Sequence, residues 1–169
     1  MDSWRFAVAS FGGIRTRTSW ASNLAALRRL TWRQRARIFE AALLLTAVCV
    51  ALRAVAVRRL CATLGRLTSA AAGRRAPGVR SEALEIARSV TLASRHVPAA
   101  TTCLHRAVTL WALLRRRGLA ADLRFGARRR GDEIEAHAWV EHDGVVISDE
   151  PPSDGRYVLL PWAALRGER

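Results

Sequence analysis

Apolar and polar positions recur along this chain with two different periods, and the change of period divides it. Thr31 is placed to cap a helix that starts WRQRARIFEAALLL, basic first and apolar afterwards, and the pattern predicts that this helix runs to about Arg59. The uncharged run AALLLTAVCVAL within it is about half of the ~20 residues that cross a bilayer. A buried core helix is therefore expected there, with membrane-surface contact as the minority reading. A second short helical piece, RRLCATLGRL, follows. The Gly, Pro and Ser content of TSAAAGRRAPGVR (68–80) marks a linker or surface loop and the main internal boundary. From Ser81, Ile86, Val90, Ala93 and Val97 step along one helical face, and Pro98 closes it. In CLHRAVTLWALLRRRG a stripe of Leu104, Ala107, Val108, Trp111 and Leu114 predicts another amphipathic helix. Thr101 or Thr102 is its N-cap, and Gly118 sits just past its end.

Beyond Gly118 the period falls to two. ADLRFGARR, EIEAHAWVE, VVISDE and RYVLLPW read as strands. Helices first and strands afterwards predict an α+β domain with a mostly antiparallel sheet. Alternation puts Ala136, Ala138 and Val140 on one face of the second strand and Glu135, His137, Trp139 and Glu141 on the other. The HDG turn after that strand has two common solutions. A two-residue Asp143-Gly144 loop sets His137 opposite Glu150. A three-residue loop, His142 to Gly144 with a G1 bulge, sets it opposite Asp149. Residues 1–30 show no such periodicity and no signal-peptide pattern, and a poorly ordered segment is expected there. The domain reading is thus 1–30 poorly ordered, 31–67 helical and 81–169 the α+β core.

Charge changes this picture less than its size invites. The 169 residues carry a net charge of +14, which fits an anionic partner. All 28 basic residues are arginine, however, and alanine is abundant, which is the bias of a GC-rich bacterial genome. No nucleic-acid role is expected. The lack of lysine excludes a P-loop lysine, a Schiff-base lysine and a Ser-Lys dyad. Three cysteines without framework spacing argue against a disulfide scaffold and suit a reducing, cytoplasmic setting.

One of the three stands apart. Cys103 falls on the first turn of its helix, where the positive end of the dipole lowers a thiol pKa from about 8.5 towards 7. The free amides of that turn can also hold an oxyanion. Cys49 and Cys61 sit mid-helix among apolar neighbours and read as core residues. A cysteine nucleophile needs a base. His96 sits at a helix end, and His105, two residues along from Cys103, points elsewhere, which leaves His137 and His142. HAWVEH lacks the spacing and the helix of a zinc motif, so neither metal nor cofactor is expected.

These residues carry a family resemblance. The C-L-x-R-A helix, the R-R-x-G ending, the H-A-W-V-E strand and an acidic residue about twelve positions later resemble the transglutaminase-like cysteine protease of lasso peptide biosynthesis, in its protease-only form. The apolar helix before the linker is similar to that family's N-terminal part, and the likeness covers roughly residues 30–150. It implies a papain-like, transglutaminase-core fold and removal of a leader peptide from a ribosomal precursor. It places the nucleophile on Cys103, the base on His137 and the third member of the triad on Asp149, which corresponds to the three-residue loop. It also implies three partners: the precursor peptide, a separate leader-recognition protein and an ATP-dependent cyclase.

Overall fold

The computed structural model describes residues 30–68, 79–97, 100–148 and 157–161. The expected unordered segment, the 68–80 boundary apart from its ends, and Asp149 and Glu150 lie outside the described residues. Among the described residues four helices precede four strands: α1 (Trp32–Ala54), α2 (Val57–Leu67), α3 (Val79–Ser94), α4 (Cys103–Arg116), then β1 (Asp122–Arg130), β2 (Glu133–His142), β3 (Val145–Ser148) and β4 (Val158–Leu159). The sheet order is β3-β2-β1-β4, antiparallel throughout, as an α+β reading requires.

Thr31 caps α1 through a capping box: its N–H donates to Gln34 Oε1 at 2.9 Å and its Oγ1 accepts the Gln34 N–H at 3.3 Å. The helix stops at Ala54 rather than continuing to Arg59, because β-branched Val55 takes an extended conformation, φ −127° and ψ 135°. The break lets α2 turn back so that Cys61 packs with Val48 of α1 and Val108 of α4. The uncharged run of α1 is buried on one side only. Ala41, Leu45, Val48 and Cys49 face the core, while Leu43 and Val50 stay exposed with Trp32 and Phe39. α3 begins at Val79, two residues before Ser81.

The main core lies between the helices and the inner sheet face. Ala41, Ile86, Val90, Leu110 and Leu114 meet Phe125, Ala138, Val140 and Ile147 there. α4 is the central element. Its stripe is broader than the sequence period shows, with Ala107 to Leu110 and Ala112 to Leu114 all buried. Gly118 (φ 73°) ends it, with Leu119 N–H bonded back to the Leu114 carbonyl at 3.0 Å. Glu40 of α1 takes ion pairs from Arg116 and Arg117 at the far end of α4, and Arg37 pairs with Glu85 of α3. Among the described residues, no helix is long and apolar enough to cross a membrane.

Candidate active site

The N-terminus of α4 sits against the edge of β2. Thr102 is the N-cap, with extended φ −99° and ψ 172°, which makes Cys103 the first helical residue. The cap is closed by a histidine where glutamate is usual: Thr102 N–H donates to His105 Nδ1 at 3.2 Å, and Thr102 Oγ1 lies 2.8 Å from the same nitrogen. A ring nitrogen that accepts is unprotonated. Burial, then the charges of Arg53 and Arg106, lower the His105 pKa and hold that neutral form. His105 is thus a capping residue, turned away from the base's role.

Strand geometry explains what meets the thiol. The Phe125 carbonyl accepts from Leu160 N–H at 2.9 Å, on the β4 side of β1. Phe125 stands opposite Ala138, so this is a non-hydrogen-bonded pair and the Ala138 N–H points outward from β2, away from β1. On that outer side the described pairing with β3 runs to Val140, opposite Ser148, and does not include Ala138. The Ala138 amide goes instead to Cys103. The half-buried thiol is held by this amide, by the Leu104 amide and by a hydrogen bond with His137. Burial pushes its pKa up, but the His137 and Ala138 hydrogen bonds, the His137 charge and the Leu104 amide outweigh that and leave it below the ordinary thiol value. Cys49 and Cys61 behave oppositely. Burial raises both, Cys61 to about 11, as befits core thiols.

His137 is set on the outer sheet face by packing that the sequence pattern did not single out. Trp139 stacks beside its ring, with centroids 6.1 Å apart and 21° between planes, and Tyr157 flanks it at 5.6 Å. Trp139 Nε1 donates to Glu141 Oε1 at 3.0 Å, and Glu141 is in turn held by Arg124 Nε at 3.0 Å. Arg128 lies 4.9 Å over the Tyr157 ring and bonds Glu135 at 2.7 Å. That bond is the main reason the Glu135 carboxyl sits below its usual range. Gly126, opposite His137, leaves room for the two aromatics. The alternation of β2 had placed Trp139 beside His137, but Tyr157 and Gly126 come from other strands and carried no local signal.

The other candidates are placed elsewhere. His142 is buried on the inner face, where its Nδ1 bonds the Ala120 carbonyl at 2.5 Å, so it ties β2 to the segment after α4. The turn differs from the three-residue loop implied by the resemblance. It has two residues, Asp143 and Gly144, both with positive φ (49° and 75°), and His142 pairs with Val145. Aspartate tolerates this left-handed region, which makes the short loop available. A bulge follows at Val140/Glu141, so the register beyond it is neither of the two simple ones. Asp149, the expected third member, lies outside the described residues.

A half-buried thiol of lowered pKa, bonded to an imidazole and set on a helix N-terminus, is equipped for nucleophilic attack on an acyl carbon. Searches among curated proteins and among solved structures return no match. The family model of the transglutaminase-like superfamily matches residues 47–160, which takes in α4, the whole sheet and both members of the Cys103–His137 pair, and the chain belongs to that superfamily.

Proposed function

We propose that this protein is a cysteine peptidase that removes the leader from a ribosomally made lasso peptide precursor, through a triad of Cys103, His137 and Asp149. The observation that carries the enzymatic part is the Cys103–His137 hydrogen bond at the helix start, with the thiol held below its ordinary pKa. The substrate rests on the sequence resemblance. His137 takes the Cys103 proton, and the thiolate attacks the carbonyl that joins leader to core. A sulfur–carbon bond forms, and the first-turn amides of α4 stabilise the oxyanion. His137 then gives its proton to the leaving core amine as the carbon–nitrogen bond breaks. Water, deprotonated by His137, cleaves the thioester and releases the leader as a carboxylate. Asp149 fixes the imidazole tautomer. The freed core amine is the group that an ATP-dependent cyclase joins in ring closure, and a separate recognition protein delivers the leader.

The test is a cleavage assay with precursor peptide and recognition partner, followed by mass spectrometry. Cys103→Ala and His137→Ala abolish leader release on this reading, and Asp149→Asn lowers it while Glu150→Gln does not. Undiminished cleavage by Cys103→Ala refutes it. The superfamily equally accommodates acyl transfer to an amine. Product bearing an added amine, formed in preference to hydrolysis, moves the assignment to a transferase.

A further inference from the structure

A groove of about 610 Å³ runs between α3 and β3, away from the aromatic wall of His137. Its helical side carries Leu84 and Arg88, four apart on one face of α3, and Arg95 in the turn just after the helix. Its other side is β3, with Val146, Ile147 and Ser148. Three features give it a direction and a chemistry. First, β3 is the terminal strand of the sheet, so among the described residues its outer edge has no strand neighbour, and a free edge is a template for an added strand. Second, the lining residues among those described carry two arginines and no acidic side chain. Arg88 and Arg95 are both exposed, and among the described residues neither has an acidic partner. Third, the groove is lined by Ser148, whose hydroxyl is buried without a hydrogen-bond partner among the described residues. Ser148 stands opposite Val140, two strand positions from the Ala138 amide that holds the Cys103 sulfur. That separation is roughly 7 Å along the strand.

We infer that this groove is the substrate trough of the peptidase: an extended peptide segment pairs with the outer edge of β3, sets acidic side chains against Arg88 and Arg95, and leads past Ser148 to Cys103. The inference rests on the peptidase reading for its direction, since it makes the trough the approach to the scissile bond. An extended segment matches the site because same-face side chains of a strand recur about every 7 Å. Glutamates at alternate positions therefore reach both guanidinium groups.

The test separates binding from turnover. Cys103→Ala protein is titrated with a fluorescein-labelled heptapeptide that alternates glutamate with valine, and binding is read by anisotropy. Its twin with glutamine for each glutamate, and a copy N-methylated at alternate amides, serve as probes of charge and of strand pairing. Because the whole chain is strongly basic, Arg88→Glu/Arg95→Glu is compared with Arg58→Glu/Arg59→Glu, which makes the same charge change on the exposed side of α2. The trough predicts at least a tenfold loss for the first pair, less than twofold for the second, and at least a tenfold loss for both altered peptides. Equal losses in the two pairs, or full binding by the N-methylated copy, overturn it. With catalytically intact protein and precursor, the first pair raises KM and leaves kcat within twofold. Failure of precursor cleavage together with intact groove binding counts against the peptidase reading alone. Intact cleavage with unchanged KM counts against the trough alone.

Discussion

Replacing Gly126 with alanine tests whether the aromatic packing holds the base in place. In the interior of a strand, glycine to alanine normally stabilises, by about 0.5–1 kcal/mol, because it lowers the entropy of the unfolded chain. Here the sign is expected to reverse. A Cβ at Gly126 would lie 3.0 Å from Cζ3 and Cη2 of Trp139 and 3.0 Å from Cβ of Tyr157, where ordinary contacts start at 3.4 Å. The Tyr157 Cβ is fixed to its backbone, so the indole must yield by about 0.4 Å. The Glu141 bond to Nε1 resists that movement, and overpacking of this kind costs about 1–3 kcal/mol. The indole is stacked on His137, so the imidazole shifts with it. Displacements well below 1 Å already matter at a reacting pair, and about a tenfold loss of kcat/KM is expected, equivalent to ~1.4 kcal/mol. Urea denaturation and steady-state cleavage read the two effects. A second substitution, Trp139→Phe, removes the two clashing carbons, so Gly126→Ala costs at least 1 kcal/mol less in that background, a coupling typical of residues in contact (about 0.5–3 kcal/mol). If Gly126→Ala is as stable and as active as wild type, or if the two substitutions are simply additive, the aromatic wall does not position His137.

Four further outcomes follow from the same geometry. Iodoacetamide labelling mapped by peptide mass modifies Cys103 first, with a half-maximal pH below that of an ordinary thiol, while Cys49 and Cys61 stay unlabelled until unfolding; His137→Ala moves the Cys103 midpoint upward, because it removes a hydrogen bond and a charge that favour the thiolate. The linkage has a definite sign: a thiol whose folded pKa is lowered adds stability at pH above the unfolded value, and that increment fades as pH falls through the folded value, so Cys103→Ala removes it in pH-dependent melting. Thr102→Ala opens the cap and costs about 1 kcal/mol of stability, with a rise in the Cys103 midpoint as the first turn loosens. His142→Phe leaves the Ala120 carbonyl unpaired and lowers stability by about 1–3 kcal/mol, yet the folded enzyme keeps its kcat, which separates this histidine from His137.

The helices and the thiol were legible in the sequence because their signals are local. A threonine ahead of the first turn, a 3.6-residue stripe and a terminal glycine are read within one element, and the caps appear at Thr31, at Thr102 of the two threonines and at Gly118. The hairpin was not legible in this way, since Asp143 serves equally in a two- or three-residue loop and the bulge at Val140/Glu141 leaves no mark in β2. Yet that bulge carries consequences for the site. It adds a residue to β3, so that Ile147 is buried against the core and Ser148 stands opposite Val140. The outward N–H of Ala138, set by the pairing of Phe125 with Leu160, holds the Cys103 sulfur. An amide turned inward to β1 at that position would have been spent on a ladder bond and lost to the thiol. The nucleophile's environment therefore depends on long-range register as much as on the helix that bears it.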